Sequence, residues 1–302
     1  MSNLKIIYVK EASDTCDIVK RIILKIKSFF NIIDKETKQE RLIYILPIFS
    51  DKKISSNRIY KLSKKVIKNL EKDEVTNVVL SKYLDTLKDL KNSLYDENVN
   101  ILDGRYLFKC LSYETIEYIL KRQNRCIELS EVSILINDFN NVNKDLILHI
   151  AKNVKILNVI TNHINKCKNI EEYLYNEFGI LINISNNRAT SLLNSKIILN
   201  IDFPEELVNQ YNICNKAIII NILEKISIKS KKFSGININF FNINISRKYE
   251  LEGFRNEEIY ESIIYKKEFY KAKEIMLKDK VKIRRLVGNN GVVIDSEYMD
   301  KL

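Results

Sequence analysis

Residues 132–136 read VSILI, and four comparable runs follow it: 154–160 (VKILNVI), 180–184 (ILINI), 197–201 (IILNI) and 217–222 (AIIINI). Each is short, dominated by Ile, Val and Leu, and gives way to polar residues. An apolar run without alternation suits a strand buried on both faces, as in a parallel sheet covered by helices. Between the first three runs, residues 145–151 and 170–178 place apolar residues at helical spacing. Strands recurring with helices between them form the βαβ pattern. The spacing therefore predicts a parallel α/β sheet over 132–221.

Upstream lies a second α/β unit. Residues 4–9 read as a strand, and 16–30 as an amphipathic helix with Ile18, Val19, Ile22, Ile23, Ile26 and Phe29 on one face. Asp14 or Thr15 is placed to cap that helix, because a short side-chain oxygen can accept from free N–H groups of the first turn. Residues 42–49 predict a second strand, with Pro47 at a strand end or edge. A helix over 57–70, a strand over 77–80, a helix over 83–94 and a strand over 99–102 follow. Residues 106–121 predict one more helix, or two broken near Ser112.

Downstream the pattern changes. Residues 235–246 (GININFFNINIS) alternate apolar residues with Asn, which suits a strand with one wet face at a sheet edge or in a lid. Residues 256–278 predict one long helix. The tail predicts a hairpin, 282–287 against 292–295, turned at Gly288-Asn289-Asn290-Gly291, since Gly and Asn accept the positive φ of such turns. The polar stretch 123–130 suggests a boundary. The expected division is 1–125 for an α/β domain, 126–250 for the parallel sheet and 251–302 for the C-terminal helix and hairpin.

Composition narrows the functional classes. The 302 residues carry a net charge of +11, six Gly, two Pro and no Trp. Residues 1–125 hold 25 Lys/Arg against 17 Asp/Glu, so most of the excess belongs to them. The bases are interleaved with acids and form no basic-aromatic cluster, which favours solvated helix faces over nucleic-acid contact. Five cysteines without C-x-x-C spacing suggest reduced thiols and a cytoplasmic protein. Cys110, Cys126, Cys167 and Cys214 read as small buried hydrophobes. Two histidines give little basis for a metal site. No apolar run approaches the length of a membrane span, and no membrane contact is expected.

Ligands of open parallel sheets bind beyond the carboxyl ends of the strands, where strand order reverses. The residues at those ends are Asn137 and Asp138, then Thr161, Asn162 and His163, then Ser185, Asn187 and Arg188, then Asp202. These are the candidate ligand contacts. A dinucleotide-binding protein carries G-x-G-x-x-G after its first strand, so that the backbone can approach a pyrophosphate. Here residues 137–143 read NDFNNVN, with no glycine, and Asp138 would repel the phosphates. After the second strand, where NAD sites often place an acid for the ribose, stand Thr161, Asn162 and His163, with Lys166 and Lys168 beyond. In the first unit, Lys82 and Asp103 follow strands and are the candidate proton-transfer pair.

The order of elements resembles that of two-domain Rossmann-like NAD(P)-dependent dehydrogenases, in which an α/β substrate domain precedes a nucleotide-binding domain and a C-terminal helix closes the cleft. The resemblance covers most of the chain in layout and carries no motif, so it transfers no residue. It implies two α/β domains, the second Rossmann-like. The glycine-free loop leads to a reading as a binding or regulatory component with a degenerate dinucleotide site. The alternatives are an oxidoreductase or transferase with an atypical nucleotide cofactor site in the interdomain cleft, and a nucleic-acid-associated protein using the basic N-terminal part. NAD(P) itself is not supported. The sheet edges offered by 235–246 and the tail suit a homodimer or a partner protein.

Overall fold

The computed structural model describes residues 5–12, 18–49 and 54–301. The chain folds into two compact units, residues 1–104 with 246–263, and residues 105–245 with 264–302. This differs from a division at 125 and 250. Residues 105–125 fold with the second unit, and the chain returns to the first unit at 246.

The first unit contains β1 (Ile6–Glu11), α1 (Ile18–Phe30), β2 (Asp34–Lys38), β3 (Arg41–Leu46), α2 (Ser56–Lys72), β4 (Asn77–Leu80), α3 (Lys88–Asp96) and β5 (Asn100–Ile101). The sheet order is β2-β3-β1-β4-β5. β2 is antiparallel to β3, and the remaining pairs are parallel. β2 (DKETK) has no apolar residue and escaped the sequence pattern. The register of its partner creates it, through a turn in which Gln39 and Glu40 both take positive φ. One sheet face packs Val9, Tyr44, Leu46, Val78 and Leu80 against Leu62, Val66 and Leu70 of α2 and Leu90 and Leu94 of α3. On the other face Tyr8 meets Phe254 edge to ring at 5.6 Å, and its hydroxyl bonds that of Ser262. The candidate caps Asp14 and Thr15 lie outside the described residues.

The second unit begins with α4 (Arg105–Cys110) and α5 (Ser112–Arg122), so the predicted helix is broken at Leu111 beside Ser112. It continues with β6 (Glu131–Leu135), α6 (Asn141–Ala151), β7 (Ile156–Ile160), α7 (Ile164–Phe178), β8 (Asn183–Ser185), β9 (Ile197–Asn200), α8 (Glu205–Val208), β10 (Ile218–Asn221) and β11 (Ile236–Asn244). The five apolar runs of the sequence all become strands. Burial is deepest in the middle of the sheet and falls off through β7 to the edge strand β8, whose residues are exposed or partly exposed. Each of β9 and β10 is fully buried along its length.

The predicted helix over 256–278 is two helices, α9 (Asn256–Ile264) and α10 (Phe269–Lys278). Lys266 between them takes φ +58°, a left-handed conformation that stops helical hydrogen bonding. Nearly all of α9 belongs to the first unit and α10 to the second. The tail forms β12 (Lys282–Gly288), β13 (Gly291–Val292) and α11 (Asp295–Met299), with the hairpin turn where Gly and Asn predict it.

Among the described residues the second sheet has eight strands, ordered β13-β12-β11-β10-β9-β6-β7-β8. From β11 to β8 every pair is parallel. Taken in chain order these six strands lie 3-2-1-4-5-6, the order of dinucleotide-binding sheets. The second unit is a Rossmann-like sheet extended by an antiparallel hairpin. β11, expected at an edge or in a lid, lies inside the sheet between β10 and β12. Its inner polar positions, Asn237 and Asn239, are buried and not wet, and Asn239 is hydrogen-bonded to the neighbouring strand.

Candidate functional site

The chain leaves β6 toward β7 and β8 on one side, then returns to β9 on the other. The carboxyl ends of β6 and β9 are therefore the switch point. Leu135 pairs with Asn200 across them, and the register continues through the bond from Ile201 N to Leu135 O at 3.0 Å. Two residues beyond Asn200 the register brings Asp202 against the loop after β6. The Asp202 carboxylate accepts the backbone N–H of Asn137 at 2.7 Å and of Asp138 at 2.6 Å. These are amides of the loop where a dinucleotide fold presents N–H groups to phosphate. An internal anion occupies them.

The loop holds itself in this shape. Asn140 caps α6 by accepting from Asn143 N at 3.0 Å. Asn143 Nδ2 donates to Asp138 O and Asn140 Nδ2 to Asp138 Oδ2, each at 2.6 Å. Asn137 Oδ1 accepts the N–H of Asn162 at 2.9 Å, and Thr161 Oγ1 accepts that of His163 at 3.0 Å. The structure thus brings together Asn137, Asp138, Thr161, Asn162, His163 and Asp202. The His163 side chain is exposed.

The remaining candidates stand apart from that group. Ser185 joins it only through its carbonyl, which accepts from Thr161 N at 3.0 Å. Asn187 closes a turn of its own by accepting from Ala189 N and Thr190 N. Arg188 is exposed, and its charge lies near Tyr211. Lys82 and Asp103 belong to the first unit. The Lys82 side chain is exposed, and its backbone N–H donates to Gly253 O at 2.8 Å. Asp103 lies near Tyr95.

Two features were missed in the sequence. Lys109, on α4, is half-buried and faces Asp202 and Asp138 electrostatically. Burial pulls its ammonium below the ordinary lysine range, and the two carboxylates oppose that pull. Burial likewise pushes the Asp202 carboxyl up, against the two N–H donors that favour its ionised form. Nothing in the pattern of α4 marks Lys109. The second feature is a chain of amides that runs from the carboxyl ends of β9 and β10 across β11 to the hairpin turn. Asn200 Nδ2 donates to Asn221 Oδ1 at 3.3 Å, Asn221 Nδ2 to Asn239 Oδ1 at 2.9 Å, and Asn239 Nδ2 to Asn289 Oδ1 at 2.7 Å. Arg105 braces the same ends by donating to Ile222 O at 3.0 Å and Asn239 O at 3.2 Å. Asn200 and Asn221 at the ends of apolar strands, and the Asn alternation of β11, were its sequence signals.

Among the described residues, no group of three or more His, Cys, Asp or Glu could hold a metal ion, and no helix is long and apolar enough to cross a membrane. Cys110 and Cys167 are buried, and burial pushes both thiols up to about 12. Cys126, expected inside, is exposed. It sits in the polar connection before β6, where no apolar layer covers it.

No family model matches the chain, and no curated protein does. Among solved structures, L-tryptophan dehydrogenase from Nostoc punctiforme aligns over 98% of this chain and 86% of its own, with 10% identity and a TM-score of 0.34. Dipicolinate synthase A chain from Bacillus subtilis aligns over 92% and 95%, with 9% identity and a TM-score of 0.35. A glutamate dehydrogenase aligns over 91% and 70%, with 9% identity and a TM-score of 0.30. The fold assignment itself rests on the strand order.

Proposed function

We propose that this chain is a Rossmann-like protein whose dinucleotide position is closed by its own side chain, and that it serves as a non-catalytic binding or regulatory component. The observation that carries the reading is the Asp202 carboxylate on the N–H groups of Asn137 and Asp138. A pyrophosphate entering there must displace one anion and approach another, Asp138, across a loop without glycine. Each displaced charge-assisted hydrogen bond opposes binding by about 1.5–3 kcal/mol. On this reading the ligand is another protein or a second copy of the chain. Isothermal titration with NAD, NADH, NADP and NADPH tests it. No saturable heat at micromolar concentration is expected, and tight saturable binding overturns the proposal.

A second reading is supported by Lys109. A half-buried amine held below its usual range by burial, with the charges of Asp202 and Asp138 acting against that shift, is the type of group that enzymes use for proton transfer or to hold an anionic substrate. A thermal-shift screen against flavins, nucleotides and S-adenosylmethionine addresses it, since a ligand of the native state raises the midpoint. Saturating stabilisation that disappears in Lys109→Met favours an enzyme with an atypical cofactor site. A flat screen favours the first reading.

A further inference from the structure

Helix α1 presents to the outside the face that its sequence pattern marks for a core. Ile22, Ile23, Ile26, Phe29 and Phe30 fall on one stripe at helical spacing, and all are exposed, Ile26 by 53% and Phe29 by 82%. Phe29 and Phe30 meet edge to ring at 5.1 Å, making an aromatic tip at the end of the stripe. Among the described residues, polar contacts tie the C-terminal end of α1 to the first unit. Lys27 pairs with Asp34 at 2.7 Å, Arg58 on α2 donates to Ser28, and Lys65 on α2 donates to the Phe30 carbonyl at 2.6 Å. Contiguous exposed apolar residues of this kind mark an interaction surface.

The helix is basic in sequence, and one of its bases, Lys27, is paired with Asp34. Residues 18–30 contain Lys20, Arg21, Lys25 and Lys27 and no acid. Lys25, Arg58 and Lys61 line a hollow beside Phe29. We propose that α1 is an interfacial helix that seats the first unit on an anionic lipid bilayer, with Ile22, Ile26 and Phe29 in the acyl boundary and Lys25, Arg58 and Lys61 among the headgroups.

Three features favour this occupant. Thirteen residues make a helix about 20 Å long, too short to span a hydrocarbon core of about 30 Å but suited to lie in its plane. A second copy of the chain would bring Lys25, Arg58 and Lys61 against their own copies, a like-charge contact that opposes association. Nucleic acid would satisfy the bases but leave the Ile residues in water. A residue as exposed as Phe29 stands on a ridge, which enters a deformable lipid layer more readily than a folded partner without a matching groove. The sequence-based expectation of no membrane contact considered spanning segments alone.

The test uses the full chain and flotation with vesicles of phosphatidylcholine, with or without phosphatidylserine. Wild-type protein is expected to float with the phosphatidylserine vesicles only, and to be released by salt. The double variant Ile26→Glu/Phe29→Glu is expected to float about tenfold less or worse. Both positions are exposed, so circular dichroism should show an unchanged fold. Because the chain has no Trp, Phe29→Trp places a lone reporter on the ridge, and its emission should shift to the blue with anionic vesicles. Failure of the wild type to float, or equal flotation of the double variant, overturns the proposal. So does a wild-type dimer that does not float and that the double variant converts to monomer, which would assign the face to a second copy.

Discussion

Asp202 holds the backbone of Asp138: the carboxylate at the end of β9 accepts the Asp138 N–H at 2.6 Å, between two strands that neighbour each other only because the sheet reverses there. Sixty-four residues separate the pair. Asp202→Ala leaves the N–H groups of Asn137 and Asp138 without their acceptor. The expected loss is about 1–3 kcal/mol, read as a lower midpoint in calorimetry. Inorganic phosphate should restore part of the loss in the variant, because the freed donors can bind an external anion, and should leave the wild type unchanged. An unchanged midpoint in the variant would show that the contact contributes nothing.

Glu258 predicts a pH effect of defined sign. It is buried, its Oε1 pairs with Arg255 at 2.6 Å, and its Oε2 has no donor among the described residues. Burial outweighs Arg255 and raises the carboxyl from 4.5 to about 7. A group whose folded pKa is raised contributes stability that is fully present below the unfolded value and is lost as pH rises through the folded value. Wild-type stability relative to Glu258→Gln should therefore fall between pH 4.5 and about 7, by on the order of 3 kcal/mol. Urea melts across that range measure it, and parallel curves would refute it.

Asn221 sits in the middle of the amide chain, accepting from Asn200 and donating to Asn239, with all three buried. Asn221→Ala removes both bonds, while Asn200 Nδ2 keeps the Phe203 carbonyl and Asn239 Oδ1 keeps the Ile226 N–H. The cost should be about 1–3 kcal/mol by urea denaturation, the worth of two net hydrogen bonds. A loss under about 0.5 kcal/mol would mean that water reaches the ladder.

Two glycines should respond to different degrees. A Cβ on Gly235 would lie 2.0 Å from the carbonyl oxygen of Ala217 and 2.5 Å from the Phe233 ring, so backbone must move. Gly235→Ala should cost about 3 kcal/mol or more. Gly179 ends α7 at φ +65° with nothing within 4 Å. Gly179→Ala meets only left-handed strain and should cost about 1–2 kcal/mol. Melting both variants side by side checks the order.

The buried strands of the second unit were legible in the chain because a strand covered on both faces must be apolar throughout, and 132–136, 154–160 and 197–201 have no other use for that composition. The hairpin was legible because its turn requires Gly and Asn. β2 was not, since DKETK is a strand only by virtue of hydrogen bonds offered by β3. The break between α9 and α10 was hidden as well, because Lys266 in the left-handed region leaves no mark in helical periodicity.

The sequence by itself determined that no glycine cradles a phosphate after β6 and that short polar residues end the strands, since residue identity alone decides those points. Tertiary structure decided what these residues meet. Strand order placed Asp202 on the loop amides, burial on α4 lowered the Lys109 ammonium, and the apolar stripe of α1 was left exposed. Periodicity states which side chains share a face. Only the three-dimensional contacts say what that face is pressed against.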